Sequence, residues 1–155
     1  MKRILFLMSV CLMAASCSLN SNSKNETGIQ SQQEASSGNQ HATTQDRVEV
    51  LYFHGKQRCA TCMAIESNTR EAMEANFSEQ MKKGNVVFRS IDISKKENEK
   101  IAEKYQVTWS SLFIVKYKDG QESDENMTKF AFGNARKSPD TFKSEIVKTV
   151  QNMLK

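Results

Sequence analysis

The chain has 155 residues, 38% of them hydrophobic, with 22 basic residues, 18 acidic residues and a formal net charge of +4. This length can hold one ordinary domain. The charge is too close to neutral to predict nucleic-acid binding or a strongly acidic partner. No apolar run after residue 16 is long enough to cross a bilayer as a helix.

The first 16 residues have the pattern of an export signal. Lys2 and Arg3 precede a short apolar segment that ends near Ala15 and is too short to span a membrane. Small residues then lead into Cys17, which resembles the lipobox of bacterial lipoproteins. The resemblance implies a lipidated Cys17, a periplasmic location and a lipid anchor in a membrane. The alternative is an ordinary signal peptide followed by an incidental cysteine.

Residues 17–45 predict a flexible polar tether between that anchor and a folded domain. The segment is built from Ser, Asn, Gln, Thr, Glu and Gly, and Leu19 and Ile29 are its only large aliphatic residues. Such a composition cannot bury enough apolar surface to offset the entropy of ordering. His41 lies in this segment, and we assign it no role.

The pattern over residues 46–155 predicts one domain. An apolar, aromatic-rich run predicts a strand over 47–54, and apolar residues three and four apart predict a helix over about 60–81. A second strand is predicted over 86–93. The sequence Ser-Lys-Lys-Glu that follows has the spacing of a capping box and predicts a helix over 94–105.

The C-terminal half predicts a hairpin and a final helix. A third strand is expected over 111–118, a turn at 119–120 and an edge strand over 127–132, ending at Gly133. Ser138 and Pro139 are typical of a helix start. The predicted order is βαβαββα. With right-handed crossovers this is an α/β fold with a four-stranded mixed sheet flanked by helices.

Two cysteines stand at the junction between the first strand and the first helix. The chain has 4 cysteines, and the resemblance to lipoproteins implies that Cys11 leaves with the signal and Cys17 carries the lipid, which leaves Cys59 and Cys62 as thiols. A disulfide between residues so close together removes little chain entropy, which favours a redox or metal role over a structural one. The helix N-terminus favours a thiolate on Cys59, the predicted nucleophile, with Cys62 as the resolving thiol.

Three neighbouring residues are predicted to tune this pair. Positive charge on Arg58, Lys56 and His54 would lower the pKa of Cys59 and make its disulfide more oxidising. His54 has two other interpretations. It could simply end the strand, or it could join Cys59 and Cys62 as a third ligand for a soft or borderline metal such as Cu(I) or Zn(II).

A CxxC at the first strand–helix junction, followed by βαββα, resembles the thioredoxin fold in its minimal form over about 110 residues. More narrowly, residues 52–66 (YFHGKQRCATCMAIE) resemble exported thioredoxin-like proteins labelled as a nitrophenyl-compound nitroreductase-subunit family. The resemblance implies thiol–disulfide exchange with protein or small-molecule thiols and disulfides. Because the chain has no cofactor motif, reducing equivalents would come from a partner reductase or a membrane thiol transporter.

The chain departs from thioredoxins at several positions. Thioredoxins carry Trp before the first cysteine and Gly-Pro between the two, where this chain has Arg58 and Ala60-Thr61. The buried acid of thioredoxins corresponds to about Tyr52. Their cis-proline corresponds to about Ser111, where a cis bond would cost about 3–4 kcal/mol. By the same resemblance, the loop with Ser110 and Ser111 would dock the substrate. Trp109 has two interpretations, a substrate platform beside the dithiol or a large residue that packs the loop.

Three functional classes follow. The first is a membrane-anchored periplasmic thiol–disulfide oxidoreductase acting through Cys59 and Cys62. The second is a metal-binding or metal-delivery module using the same cysteines and His54. The third is a partner subunit that uses the fold for docking without catalysis.

Overall fold

The computed structural model describes residues 46–155. The predicted signal segment 1–16, the lipidated Cys17 and the tether 17–45 lie outside the described residues. Within residues 46–155, no helix combines the length and the apolar character needed to cross a membrane.

A four-stranded mixed sheet forms the centre of the domain, with the strand order β2-β1-β3-β4. β1 and β2 are parallel, whereas β3 is antiparallel to both β1 and β4. The strands are β1 (Arg47–His54), β2 (Val86–Asp92), β3 (Ser111–Lys118) and β4 (Gln121–Asn126). The helices are α1 (Ala60–Lys82), α2 (Glu99–Lys104), α3 (Thr128–Asn134) and α4 (Pro139–Met153).

The two faces of the sheet carry separate hydrophobic clusters, because successive side chains of a strand point to opposite faces. On β1, Val48, Val50 and Tyr52 pack with residues of α1, α3 and α4. Leu51 and Phe53 pack on the other face with residues of α2. β1 is paired on both edges and covered on both faces, which explains its nearly continuous apolar run. Tyr52 therefore lies beneath α1, the helix that carries the cysteines.

The fold class predicted from the sequence is confirmed, and β1 and β3 have the predicted bounds. The predicted edge strand over 127–132 is wrong. That segment begins α3, and Met127, Ala131 and Ala135 recur every fourth residue as a buried face. The alternation of apolar and polar residues over 127–132 is compatible with a strand or a helix. The segment is a helix because one helical face is buried in the core. Residues 46–155 therefore contain one α-helix more than predicted.

The real fourth strand, β4, carries no apolar signal at all. Every residue of the sequence QESDEN is exposed. The strand forms because the hairpin pairs it with β3. Its charged residues disfavour edge-to-edge pairing with another chain. Its last residue, Asn126, accepts a hydrogen bond from the Thr128 N–H at 3.0 Å and so helps to start α3.

The predicted capping box is also wrong. The Ser94 hydroxyl donates to the Asp92 carboxylate at 2.7 Å, and a single 3₁₀ turn, Lys96–Asn98, precedes α2. The short serine side chain satisfies the turn that ends β2, so it is not available to cap the helix. At α4, Pro139 occupies the first turn as predicted, but the Ser138 side chain makes no capping hydrogen bond.

The turn between β3 and β4 has two residues. Asp119 has φ 52° and Gly120 has φ 74°. Left-handed conformations at both central positions match the right-handed twist of the flanking strands, and they explain the Asp-Gly sequence. The turn predicted at 119–120 is confirmed.

Gly120→Ala is expected to lower the free energy of unfolding by about 1–2 kcal/mol, because an L side chain at positive φ is strained. Gly133→Ala is the matched control. Gly133 lies in α3 with no strained φ and no neighbour within 4 Å of an added Cβ, so alanine should stabilise the domain by about 0.5–1 kcal/mol. Urea unfolding measures both. Equal effects of the two substitutions would contradict this account of the turn.

Candidate dithiol active site

Cys59 and Cys62 lie at the N-terminus of α1, where the loop after β1 delivers the chain. Cys59 is the N-cap residue in extended conformation, with φ −78° and ψ 164°. Its Sγ accepts a hydrogen bond from the Cys62 N–H at 3.2 Å. Both are free thiols, with Cys59 exposed and Cys62 only 6% exposed. One thiol is therefore open to solvent, and the other is shielded one turn inside the helix.

The pKa of the Cys59 thiol lies below its ordinary value. The main cause is a hydrogen bond with the Cys62 thiol, followed by the hydrogen bond from the Cys62 N–H. The N–H of Thr61 adds to the effect, and the small desolvation at this exposed position opposes it. The free N–H groups of the helix N-terminus stabilise the thiolate, which is the nucleophilic form of cysteine.

The alkylation rate of Cys59 in the reduced protein is expected to titrate with a midpoint below about 8.5, the value for free cysteine. Because the folded-state pKa is depressed, the thiolate contributes stability that is present above the unfolded pKa. This contribution is lost as the pH falls through the folded pKa. Iodoacetamide labelling read by mass spectrometry from pH 5 to 10 measures the midpoint, and the same protein in concentrated urea is the control. Equal midpoints in the two conditions would contradict the lowered pKa.

Tyr52 lies directly beneath the inner cysteine. Its side chain is fully buried, and its hydroxyl donates to the Cys62 carbonyl oxygen at 2.8 Å. Burial raises the pKa of Tyr52, and interactions with Arg58 and Ser110 oppose that rise only in part. The hydroxyl therefore stays protonated and acts as a donor. A phenol stands where the thioredoxin resemblance implies a buried carboxylate.

The Arg58 side chain is half-buried against the beginning of α1. Its guanidinium forms an ion pair with Glu66 and lies over the ring of Tyr52, 5.6 Å from the centroid. Burial opposes the ionised form of Glu66, but hydrogen bonds from Ser90 and Arg58 lower the pKa of this carboxyl. The charge of Arg58 is thus matched by Glu66, and its predicted effect on Cys59 stays a prediction.

His54 and Lys56 lie on the approach to the dithiol. The His54 ring stacks on Tyr52 with a centroid separation of 5.8 Å, and its Nδ1 is 3.0 Å from the neighbouring Gly55 carbonyl oxygen. Lys56 is exposed in the loop. Their tuning of the Cys59 pKa stays a prediction.

The arrangement does not group three metal ligands. Over residues 46–155, no three His, Cys, Asp or Glu side chains lie together in a way that could hold a metal ion. His54 is therefore not placed as a third ligand beside Cys59 and Cys62.

The loop predicted to dock substrate reaches the site through Ser110, which interacts with the Tyr52 hydroxyl. Ser111 is buried, and its hydroxyl donates to the Trp109 carbonyl at 3.1 Å. No described peptide bond is cis, so the bond before Ser111 is trans. The Trp109 side chain is 59% exposed and packs on Phe132 with a centroid separation of 5.4 Å. The docking role of the loop stays a prediction.

Beside this loop is an open groove of about 530 Å³, lined by Trp109, Asn126, Thr128, Lys129 and Phe132. Phe132 was missed from the sequence because its segment was assigned to a strand. Glu66 was missed as well, although its position four residues after Cys62 places it one turn further along the same face of α1. That spacing was the available signal.

No family model and no curated protein matches the chain. Among solved structures, it is similar to thioredoxin from Fasciola hepatica, with 20% identity, a TM-score of 0.46 and coverage of 71% of this chain and 84% of that one. It is also similar to thioredoxin from Thermus thermophilus, with 18% identity, a TM-score of 0.44 and coverage of 66% and 73%. Mitochondrial thioredoxin 3 from Saccharomyces cerevisiae has 19% identity, a TM-score of 0.42 and coverage of 70% and 81%.

The sheet order β2-β1-β3-β4, with β1 and β2 as its parallel pair and the CxxC directly after β1, is the arrangement implied by the sequence resemblance. The fold is thioredoxin-like. This assignment rests on the topology, since the similarities above are too distant to bear on activity. In the thioredoxin-like domain, the dithiol lies at the carboxyl end of a central strand. This strand, β1, is hydrogen-bonded to a neighbouring strand on each side.

Proposed function

We propose that the protein is a thiol–disulfide oxidoreductase acting through Cys59 and Cys62. One observation carries the proposal. The exposed Sγ of the N-cap residue Cys59 accepts the Cys62 N–H, and the second thiol is buried one turn inside. This geometry separates an accessible nucleophile from a protected resolving thiol, as two-step exchange requires.

In the first step, the Cys59 thiolate attacks one sulfur of a substrate disulfide. A mixed disulfide forms at Cys59, and the other substrate sulfur leaves as a thiolate. In the second step, the sulfur of Cys62 attacks Cys59 Sγ, and its proton passes to the departing substrate thiolate. The protein then holds a Cys59–Cys62 disulfide, and the substrate has gained two electrons.

The return of the dithiol state requires a second dithiol that reduces the Cys59–Cys62 disulfide. We propose a partner reductase, either a membrane thiol transporter or another thioredoxin-like protein. The exposed Cys59 is the thiol through which such a partner would exchange. The proposed substrates are protein or small-molecule disulfides.

The test is the reduction potential of the Cys59–Cys62 pair in the purified protein. The protein is equilibrated in glutathione buffers, free thiols are trapped and counted by mass spectrometry, and metal content is measured in parallel. We expect a reversible two-electron transition at a potential less reducing than about −270 mV, the value of thioredoxin. A stoichiometric metal ion without a reversible disulfide would establish a metal-binding module instead. If the protein still performed its full function in the cell after both cysteines were replaced by serine, it would be a docking subunit without catalysis.

We also propose that the protein is exported and held at a membrane by a lipid on Cys17. The support comes from the sequence of residues 1–17 and from the resemblance of residues 52–66 to exported thioredoxin-like proteins. In a Gram-negative host, Cys17→Ser is expected to move the protein from the membrane fraction and to abolish incorporation of labelled palmitate. Incorporation that persists in the variant would overturn the lipidation of Cys17.

A further inference from the structure

We infer that Tyr52 is a positioning residue for the Cys59 thiolate, acting through the backbone of Cys62. The inference deepens the proposed function and rests on it. It assigns a task to a hydroxyl that lies at the sheet–helix boundary and would otherwise be out of place in an apolar core.

The position of Tyr52 is set by the sheet. On β1 it lies opposite Ser90 of β2 and Leu112 of β3, so its backbone is held between two paired strands. Its side chain is fully buried within the cluster beneath α1. A donor anchored in this way can restrain the structure above it with little motion of its own.

The hydroxyl restrains the first turn of α1. It donates to the Cys62 carbonyl oxygen at 2.8 Å, and the N–H of the same residue donates to Cys59 Sγ at 3.2 Å. The two groups flank one Cα atom. Holding the carbonyl therefore also holds the direction of the N–H that stabilises the thiolate. The hydrogen bond from the Cys62 N–H to Cys59 Sγ therefore weakens if this turn loosens.

Polar neighbours keep the Tyr52 hydroxyl in this role. Arg58 lies over the ring and is itself held by Glu66, Ser110 interacts with the hydroxyl, and His54 stacks on the ring. The raised pKa of Tyr52 means that the hydroxyl keeps its proton. Tyr52 cannot therefore accept the proton of Cys62, and its contribution is orientation.

The experiment compares Tyr52→Phe with Tyr117→Phe in the otherwise unchanged protein. In both variants, phenylalanine keeps the aromatic ring and removes only the hydroxyl. Tyr117 is the matched control, because its hydroxyl contacts Tyr105 on the other side of the sheet. For each protein we would measure the pH midpoint of Cys59 alkylation and the equilibrium constant of the dithiol with glutathione. Urea unfolding verifies that each variant is folded.

Tyr52→Phe is expected to raise the Cys59 midpoint, because the thiolate loses support. It should also favour the disulfide about fivefold, which corresponds to a potential about 20 mV more negative. Tyr117→Phe should change neither quantity. A folded Tyr52→Phe protein with the wild-type midpoint would overturn the inference. The absence of a reversible disulfide in the wild type would overturn the proposed function instead, and the alkylation midpoint still tests the positioning role in that case.

Discussion

Cys59→Ser is expected to abolish disulfide exchange, whereas Cys62→Ser is expected to stop it at the first covalent intermediate. Without Cys59, the remaining thiol is 6% exposed and does not occupy the N-cap. The rate of reaction with oxidised glutathione should therefore fall by at least about two orders of magnitude. Without Cys62, the Cys59 thiolate can still attack. The mixed disulfide with glutathione should then accumulate, because residues 46–155 hold no further thiol that could resolve it.

Stopped-flow or quenched single-turnover reactions of the reduced proteins, with intact-mass analysis, distinguish these outcomes. Ser67→Ala is the matched control, an exposed residue of α1 outside the first turn, and it should react like the wild type. Rapid exchange by Cys59→Ser, or accumulation of the adduct on Cys62 in the wild type, would show that the roles of the two thiols are reversed.

Phe142→Ala is expected to cost about 3–5 kcal/mol of the free energy of unfolding. The Phe142 side chain on α4 is fully buried, and its ring stacks on Phe130 at a centroid separation of 6.2 Å. The substitution leaves a cavity where α3 and α4 join the cluster under α1. For a domain with a typical stability of about 5–15 kcal/mol, that is a large fraction of the total.

Urea unfolding followed by circular dichroism measures this effect. Lys148→Ala, on an exposed face of the same helix, should change the stability by less than about 0.5 kcal/mol. A cost below about 1 kcal/mol for Phe142→Ala would show that α4 contributes little to the core. The dithiol also lies above this cluster, so the same variant should expose Cys62 to alkylation more often than the wild type does.

The predictions made from sequence succeeded for buried segments, because these segments carry a recognisable apolar pattern. β1 and β3 carry apolar runs because each is paired on both edges, and their bounds agree with the structure. They failed for β4 and α3. All of β4 is exposed, and its pairing with β3 is a long-range property that local composition does not record. The alternating residues that begin α3 fit either a strand or a helix until the surface that buries Met127 and Ala131 is known.

The site divides in the same way. The spacing of Cys59 and Cys62 and their place after an apolar strand are local properties of the sequence. The tuning of Cys59 by the neighbouring cations stays a prediction, and the structure adds partners for two of them, pairing Arg58 with Glu66 and stacking His54 on Tyr52. A local reading of charge could not supply these partners, because each depends on how α1 lies across the sheet.

The position of the dithiol could thus be predicted from local sequence. A CxxC between a strand and a helix defines a dithiol at a helix N-terminus, and the helix geometry places the second thiol one turn from the first. The groups that surround that dithiol depend on how distant segments of the chain pack together. Packing of α1 on β1 brings the hydroxyl of Tyr52 to the carbonyl of Cys62, ten residues away in the chain, within 2.8 Å. Contacts of this kind form through the burial of whole faces, and no short segment of sequence specifies them alone.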